Sequence, residues 1–318
     1  MRCLVAGGAG FIGSHLCRSL LTDGYEVVCM DNLITGDKGN VEELVKNPKF
    51  TFVEEDIATN SEFRIQNSEL DYIFHLASPA SPNKKSPRSY INHPIETLLA
   101  NSLGTYNLLQ IAQKANAAFL FASSSEVYGD PTVSTQSEDY FGNVNPNGPR
   151  SVYDESKRFG EALTMAYVRT FHVNARIVRI FNTYGPYMQH DDGRVVSNFI
   201  TQALTNTSIT IYGKGAQTRS FCFVADMVEG IIKAMFTDKT QGEVINLGNP
   251  DERTIIELAK RIKRMTDSTS AIVYEPLPDD DPIRRKPDIT KATRLLSWEP
   301  KVGIEEGLVK TIQYFKTI

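Results

Sequence analysis

Residues 7–13 read GGAGFIG and constrain the fold more than any other stretch of the chain. Gly7, Gly10 and Gly13 follow an apolar run over 2–6 and open a helical pattern over 12–21. Glycines at this spacing let the backbone turn tightly, approach a pyrophosphate and pack the helix on the sheet. The helix N-terminus offers free N–H groups to phosphates. The stretch predicts a dinucleotide-binding turn, with a purely structural glycine turn as the alternative.

A carboxylate further along indicates which dinucleotide is bound. Asp31 ends the next β-rich run, over 25–30, and a carboxylate there accepts hydrogen bonds from a ribose 2′-hydroxyl and repels a 2′-phosphate. The pattern therefore favours NAD over NADP. Asp56, after a third predicted strand, is either an adenine contact or an ordinary strand-end cap. The predicted cofactor contacts are Gly7, Gly10, Phe11, Ile12, Gly13, Asp31, Asn32, Thr35, Gly36, Asp56, Ile57, Leu76, Ser78, Tyr153 and Lys157.

Strand and helix patterns alternate through the first half of the chain. Further strands are predicted over 50–53, 72–76, 118–122 and 175–180, and long helices over 94–116 and 151–171. Such alternation is typical of an α/β fold with a doubly wound parallel (Rossmann) sheet covered by helices on both faces.

The second half is less regular. Helices are predicted over 195–205, 226–236 and 254–265, strands over 208–212 and 244–247, and a proline-rich charged loop over 276–286. The strand at 244–247 is expected to rejoin the main sheet. We therefore expect an NAD-binding Rossmann domain from 1–180 with 222–248, and a smaller α/β substrate domain from 181–221 and 249–318, with a cleft between them.

Composition excludes several classes of protein. A net charge of -4 gives no general attraction to nucleic acid or anionic lipid. Cys3, Cys17, Cys29 and Cys222 have apolar neighbours, which indicates buried free thiols in a reducing compartment. No apolar run approaches the ~18 residues of a membrane span, and a strand starting at residue 2 leaves no room for a signal peptide. We expect a cytoplasmic protein. The histidines lack metal-ligand spacing, so no metal is expected.

Tyr153 and Lys157 form a YxxxK pattern at the start of the helix predicted over 151–171. The i, i+4 spacing puts both side chains on one face, where Lys157 is expected to lower the pKa of Tyr153 so that the phenol works as a base. The ammonium could also hold the nicotinamide ribose. The preceding strand ends in Ser123, Ser124, Ser125 and Glu126, which places a hydroxyl opposite Tyr153.

The glycine turn, the serine and YxxxK, in this order and spacing, resemble the extended short-chain dehydrogenase/reductase family over essentially the whole chain. The resemblance implies a catalytic triad of Ser124, Tyr153 and Lys157. In that family the triad takes a proton from a sugar hydroxyl while NAD accepts a hydride from the same carbon.

Finer motifs resemble the UDP-glucuronate decarboxylases within that family. The stretches that carry the resemblance are HLASPASP at 75–82, SSSEVYGDP at 123–131, QSEDYFGNVNPNGPRSVYDESKR at 136–158, RIFNTYGP at 179–186, DDGRVVSNFI at 191–200, QTRSFCFV at 217–224 and DDPIRRKPDI at 280–289. This implies UDP-glucuronate as substrate. Oxidation at C4 gives a β-keto acid that loses CO2 readily, and return of the hydride gives UDP-xylose and regenerates NAD.

The resemblance also implies roles for individual side chains. Glu126 takes part in proton handling at C5 or orients the sugar, and Arg219 acts at the diphosphate and the sugar. Arg285, in an RxxD pattern with Asp288, clamps the diphosphate. For Arg219 and Arg285 the alternative is an ordinary surface arginine. The predicted catalytic residues are Ser124, Glu126, Tyr153, Lys157 and Arg219, and the predicted substrate contacts are Ser125, Asn182, Asn198, Tyr212, Gln217, Arg219 and Arg285.

Residues 83–93 depart from the pattern by about five additional residues, with Lys84, Lys85 and Arg88 among them. The segment is either a solvated loop or a lid over the cofactor or substrate phosphates. Asn101 either orders the helix beside the cofactor or serves helix packing. The helices at 94–116 and 151–171 resemble those that pair into a four-helix interface in the family, which implies a homodimer.

Three alternatives to this function stay open. A 4-epimerase and an oxidative decarboxylase that releases the 4-keto pentose with NADH would use the same NAD and nucleotide sugar. A non-catalytic NAD-sensing protein could use the same scaffold. The intact Ser124, Tyr153 and Lys157 speak against the last, because a binding module needs no triad.

Overall fold

A sheet of seven parallel strands forms the centre of the molecule. The computed structural model describes residues 1–59, 70–278, 280–282 and 284–318. The seven strands are β1 (Arg2–Ala6), β2 (Glu26–Asp31), β3 (Phe50–Glu54), β4 (Tyr72–His75), β5 (Ala118–Ser124), β6 (Ala175–Ile180) and β11 (Val244–Leu247). The short strands between and after them are β7 (Thr183–Tyr184), β8 (Ile209–Tyr212), β9 (Thr218–Ser220), β10 (Cys222–Phe223), β12 (Glu252–Thr254), β13 (Ile272–Glu275) and β14 (Arg284–Arg285).

Helices cover both faces of the sheet. The α-helices are α1 (Phe11–Thr22), α2 (Pro94–Leu99), α3 (Thr105–Ala115), α4 (Ser151–Phe171), α5 (Val195–Leu204), α6 (Val224–Phe236), α7 (Ile255–Met265), α8 (Thr290–Leu296) and α9 (Ile304–Phe315). A π-helical turn, Ala100–Gly104, joins α2 to α3, so the helix predicted over 94–116 is confirmed as one helical stretch with an irregular middle.

The strand order places a cleft at one edge of the sheet. The order is β11-β6-β5-β4-β1-β2-β3, so the chain adds strands outward from β1 on one side and then returns to its other side through β4. The direction in which the chain adds strands to the sheet reverses between β1 and β4. In open parallel sheets, ligands bind beyond the carboxyl ends of the strands at such a point. The predicted doubly wound fold is confirmed, as is the return of residues 244–247 to the main sheet beside β6.

Alternate side chains of the strands supply two hydrophobic layers. In β5, Leu120 packs into the layer that contains Leu16, Met227 and Trp298, whereas Phe119 packs into the layer on the opposite face of the sheet. Strands buried on both faces read as continuous apolar runs, which is why these segments could be recognised. All four cysteines are buried and free, as predicted.

The short strands form small sheets outside the main one. β9 pairs with both β12 and β14, β7 with β10, and β8 with β13. The prediction of a loop over 276–286 is therefore wrong at Arg284–Arg285, because the pairing with β9 depends on a partner far away in sequence; residues 279 and 283 of that loop lie outside the described residues. Within the described chain, no helix combines the length and apolar character needed to cross a membrane. The division into two domains stays a prediction.

Candidate active site

The glycine turn forms a cradle that leaves no room for side chains. Gly7 has a φ of +80°, and a Cβ there would lie 2.6 Å from the Ala77 nitrogen. A Cβ on Gly13 would lie 2.1 Å from the Gly7 carbonyl oxygen. Gly10 is the N-cap residue of α1. Because it has no side chain, the N–H groups at the start of this helix are not capped by a side-chain hydrogen bond. This backbone surface at a helix N-terminus fits the pyrophosphate of NAD.

Asp31 lies at the carboxyl end of β2, beside this cradle. Its carboxylate accepts hydrogen bonds from the backbone N–H groups of Ala9 (3.0 Å) and Leu33 (2.9 Å). Burial raises the pKa of Asp31, and these two bonds oppose the effect. A Cβ on Gly36 would lie 2.6 Å from an oxygen of the carboxylate, so the chain turns closely around it. The position suits a ribose hydroxyl as a further donor.

A small cavity of about 70 Å³ adjoins the glycine cradle at Asp31. Asp56 on its wall accepts hydrogen bonds from Asn32 (2.9 Å) and from the Ala58 N–H (2.7 Å), so it serves as a local cap in addition to facing the cavity. The predicted cofactor contacts on this wall are Gly7, Gly10, Asp31, Asn32, Thr35, Gly36, Asp56, Ile57, Leu76 and Ser78.

A larger cavity of about 660 Å³ lies beyond the carboxyl ends of the strands and shares Gly7, Gly10, Thr35, Leu76 and Ser78 with the small one. Its wall therefore joins the cofactor cradle to the predicted catalytic and substrate residues. The predicted residues on this wall beyond the shared ones are Phe11, Ile12, Gly13, Ser124, Ser125, Glu126, Tyr153, Lys157, Asn182, Asn198, Tyr212, Gln217 and Arg219.

The predicted triad converges on one side of the large cavity. Ser124 ends β5, and its hydroxyl accepts a hydrogen bond from the Glu126 N–H at 3.3 Å. Tyr153 and Lys157 lie one turn apart on α4, and both are buried. The Lys157 ammonium donates to the Ala122 carbonyl at 2.9 Å and lies 5.6 Å from the centre of the Tyr153 ring.

The prediction that Lys157 lowers the pKa of Tyr153 is wrong, because the pKa of Tyr153 among the side chains of the protein is raised. Burial raises the pKa of Tyr153 to about 12, and a side-chain hydrogen bond with Ser124 only partly opposes this. Burial also lowers the pKa of Lys157 to about 7, with Glu161 opposing. A low-polarity surrounding penalises both charges, and for Tyr153 this penalty exceeds the lowering effects of Ser124 and Arg194.

Glu126 lies within a group of arginines. Its carboxylate pairs with Arg150 and, at 3.2 Å, with Arg285. Burial alone would raise the pKa of Glu126, but Arg285 and Arg150 lower it to about 2. The carboxylate is therefore ionised at neutral pH and carries no proton to donate, which favours the predicted orienting role over direct proton donation.

Arg150 is a site residue that sequence reasoning missed. It lines the large cavity and directly precedes α4, and its guanidinium pairs with both Glu126 and Asp281, the latter at 3.3 Å. Arg219 also pairs with Asp281, at 3.0 Å. The sequence signal that could have identified Arg150 is its spacing from Tyr153. Arg150 stands three residues before Tyr153 and thus on the same side of the helix start.

Arg285 does not lie on the wall of the cavity. It is 1% exposed, and it donates to the Ser125 carbonyl and to Glu126 from behind. Asp288, its predicted partner in the RxxD pattern, instead accepts the Thr290 N–H at 2.9 Å at the start of α8. Arg285 is therefore connected to the site by its contact with Glu126, and it does not face the cavity itself.

Polar side chains around the cavity are largely held by backbone groups. Asn198 donates to the Gly193 carbonyl at 2.9 Å, and Gln217 donates to the Tyr212 carbonyl at 2.6 Å. Asn101, in the π-helical turn, donates to Ser78 at 2.8 Å and to Ser156 at 3.1 Å. Asn101 thereby links the cofactor side of the cavity to α4. It serves helix packing and also lies beside the cofactor wall, so both predicted roles describe it.

Segment 83–93 contributes several side chains to the wall of the large cavity. Arg88 donates to the Thr35 carbonyl at 2.6 Å and to Asp191 at 2.8 Å, and Lys85 pairs with Glu275 at 3.0 Å. Lys84, Lys85 and Arg88 all line the cavity. The segment is thus a strap that joins the cofactor side to the loop at Asp191 and to the end of β13, and the alternative of a purely solvated loop does not describe it.

Comparisons with known proteins agree with this geometry. The family described as GDP-mannose 4,6 dehydratase matches residues 4–311. UDP-glucuronic acid decarboxylase 1 of Danio rerio is 49% identical over 314 residues, which are 99% of this chain and 72% of that one. UDP-glucuronic acid decarboxylase 6 of Arabidopsis thaliana is 48% identical over 97% of this chain and 87% of its own.

Solved structures show the same architecture. UDP-glucuronic acid 4-epimerase from Bacillus cereus, in complex with UDP-glucuronic acid and NAD, superposes with a TM-score of 0.88 at 30% identity, covering 100% of this chain and 99% of that one. The dTDP-glucose 4,6-dehydratase DesIV of Streptomyces venezuelae, with NAD bound, gives a TM-score of 0.88 at 29% identity, covering 100% and 97%.

Proposed function

The chain belongs to the family described as GDP-mannose 4,6 dehydratase, in the extended short-chain dehydrogenases/reductases, and within it to the UDP-glucuronic acid decarboxylases; from this premise we propose that it converts UDP-glucuronate to UDP-xylose and CO2. One observation carries the proposal from the side of the structure. A single cavity wall joins the glycine cradle, the three residues Ser124, Tyr153 and Lys157, and the cations Arg150 and Arg219.

The cofactor is NAD, and the residues present fit it. The backbone around Gly7, Gly10 and Gly13 would hold the pyrophosphate, Asp31 would accept a ribose hydroxyl, and Lys157 would hold the nicotinamide ribose. The chemistry that NAD would supply when bound is a reversible hydride acceptor for C4 of the sugar, so that no net oxidation takes place. The chain's task is to retain the cofactor and to exclude water from the cavity.

Tyr153 and Ser124 handle the proton at C4. Tyr153 first loses its own phenol proton to solvent once substrate and cofactor are in place. As the phenolate it takes the proton of the C4 hydroxyl and later returns it to the same oxygen, and Ser124 orients that hydroxyl. The ketone at C4 lies β to the carboxylate, so the electrons left by departing CO2 are delocalised into the ketone. A proton from solvent then reaches C5. The unusually high pKa of Tyr153 makes the proton of the resting phenol stable until substrate and cofactor are in place.

The remaining predicted residues bind the nucleotide sugar. Arg219 meets the diphosphate and sugar, and Asn182, Asn198, Tyr212 and Gln217 contact the diphosphate and uracil. Ser125 lies at the carboxylate. Glu126 orients the sugar, and Arg285 acts from behind by holding Glu126 and the Ser125 carbonyl.

We also propose a homodimer in the cytoplasm. Apolar side chains are exposed along α2, the π-helical turn and α3, and on α4. Contiguous exposed apolar surface marks protein interfaces, and α4 packs beside α2 and α3 within the chain. The buried free thiols suit a reducing compartment. The exposed apolar residues are Ile95, Leu98, Leu99, Leu103, Tyr106, Phe159 and Phe171.

The test is to incubate the purified protein with UDP-glucuronate and to measure CO2, NADH and the sugar product. UDP-xylose and CO2 in equal amounts, without lasting NADH, support the proposal. Stoichiometric NADH with a 4-keto pentose would indicate the oxidative decarboxylase. An epimerised UDP-hexuronate without CO2 would indicate a 4-epimerase, the activity named for the Bacillus cereus structure.

A further inference from the structure

Tyr90, on the strap over residues 83–93, packs face to face against Tyr153. The two rings lie 4.9 Å apart, centre to centre, and are inclined by only 9°. Tyr90 is 1% exposed and lines the large cavity beside Tyr153. No local pattern assigns this residue a role, because its partner lies more than sixty positions away in the chain.

The ring of Tyr90, and not its hydroxyl, makes the contact. The hydroxyl is buried and has no hydrogen-bond partner within the described part of the chain. Burial raises its pKa well above the ordinary value, with Arg150 opposing and Glu126 adding to the effect, so the phenol is neutral. A buried hydroxyl without a partner destabilises the fold, so the aromatic ring is what keeps this residue in place.

Hydrogen bonds fix the strap on the N-terminal side of Tyr90. The Tyr90 N–H donates to the Ser81 carbonyl at 3.0 Å. Asn83 donates to the Gly193 carbonyl at 3.2 Å, and Ser86 donates to the Asp191 carbonyl. Arg88, two residues before Tyr90, is fixed between Thr35 and Asp191. The backbone that carries the Tyr90 ring is therefore held in place by hydrogen bonds, and Tyr153 packs against this ring.

We infer that Tyr90 is a positioning residue for Tyr153, and that it acts through its ring by fixing the plane of the Tyr153 phenol. This inference rests on the proposed function, in which Tyr153 exchanges a proton with the C4 hydroxyl. Proton transfer requires a donor–acceptor distance held within a few tenths of an ångström. A free Tyr153 could turn about its side-chain bonds into the 660 Å³ cavity, and the stacked ring of Tyr90 prevents that.

The experiment compares steady-state kinetics on UDP-glucuronate for wild type, Tyr90→Phe and Tyr90→Leu. Tyr90→Phe keeps the ring and should keep kcat within about twofold, with an unchanged or higher unfolding midpoint because the unpaired hydroxyl is gone. Tyr90→Leu removes the ring and should lower kcat by about tenfold or more while KM changes by less than about twofold. If Tyr90→Leu does not fold, Tyr90→Met replaces it, with the same expected split.

A matched control separates positioning from a general loss of packing. Phe119→Leu removes a buried ring from the strand core, away from the cavity wall, and should lower the unfolding midpoint while kcat stays near wild type. The inference is overturned if Tyr90→Phe loses as much kcat as Tyr90→Leu, since the hydroxyl would then be the active group. It is also overturned if Tyr90→Leu raises KM while kcat is kept.

Wild-type turnover of UDP-glucuronate is measured first in the same series. Its absence overturns the proposed function, and the inference with it. When wild type turns over, only the contrast between the Phe and Leu variants decides the role of Tyr90.

Discussion

Lys157 and Tyr153 have shifted pKa values because both side chains are buried. The pKa of Lys157 is about 7 and that of Tyr153 about 12, and in each case burial is the largest cause. At neutral pH Tyr153 is thus a neutral phenol, and Lys157 is close to the midpoint of its titration, in the protein's own surroundings. The site is built to admit charge only when substrate and cofactor compensate for it, which is a form of preorganisation.

The burial of Lys157 predicts a pH-dependent stability. Its folded pKa, about 7, lies below the ordinary value of 10.5, so between these values the unfolded chain binds more protons. Stability therefore rises with pH across this window, and the cost of burying the ammonium is largest below about pH 7. Lys157→Met should stabilise the cofactor-free protein at about pH 6, by on the order of a few kcal/mol, and by much less near pH 10.

Chemical unfolding of wild type and Lys157→Met at several pH values checks this prediction. The exposed Lys316→Met is the control and should show no pH-dependent difference from wild type. An equal difference between Lys157→Met and wild type at every pH would refute the account of Lys157 as a desolvated cation.

Spacing in the sequence was sufficient to find the residues that the carboxyl ends of parallel strands bring together. Ser124 and Asp31 end strands, and Tyr153 and Lys157 share a helix face, so local pattern placed them on the cavity walls. Their protonation was mispredicted, because burial depends on the whole fold. Arg150 and Asp281 were missed for a related reason, since their ion pair joins residues 131 positions apart.

Among the secondary structures, length decided what could be predicted. The strands of the main sheet and the long helices repeat their pattern enough times to be recognised. The two-residue strand Arg284–Arg285 is too short for that. The nine-residue 3-10 helix Lys38–Lys46 is long enough, but a 3-10 helix repeats every ~3.0 residues and not every ~3.6, so the α-helical pattern does not reveal it. The π-helical turn Ala100–Gly104 coincides with the contacts of Asn101 to Ser78 and Ser156, which no local pattern indicates.

The strap over residues 83–93 is expected to retain the cofactor. Arg88 links Asp191 to the carbonyl of Thr35, a residue on the walls of both cavities, and we expect this link to slow the release of NAD. Arg88→Ala removes the hydrogen bonds to both Thr35 and Asp191 and should therefore speed dissociation of bound NAD by about tenfold or more, since the loss of even one charge-assisted hydrogen bond implies about tenfold. A chase of bound NAD with unlabelled NAD, followed by gel filtration, measures the rate.

Arg169→Ala, an exposed arginine near the end of α4, is the control for loss of a positive charge. Equal NAD dissociation rates for Arg88→Ala and wild type would show that the strap does not retain the cofactor.

The assembled molecule is expected to be a dimer through the exposed apolar face of α2, the π-helical turn, α3 and α4. Leu99 and Leu103 are 43% and 42% exposed and lie one turn apart on this face. Replacing both with glutamate would bury four charges in a symmetric interface, which costs far more than the apolar contact contributes. The double variant should therefore be a folded monomer by light scattering.

Val309→Glu, on the exposed face of α9, should stay dimeric and controls for the added charge. A wild-type protein that is monomeric at micromolar concentration, or a double variant that stays dimeric, would exclude this face as the interface.

The central claim is that one cavity removes a hydride from C4, lets CO2 depart, and returns the same hydride to the same carbon. UDP-glucuronate that carries deuterium at C4 tests it directly, with the product examined by mass spectrometry and NMR. The account predicts UDP-xylose with the deuterium retained at C4 and no accumulation of reduced cofactor. Deuterium found in free NADH beside a 4-keto pentose, or a product that keeps its carboxylate, would contradict it.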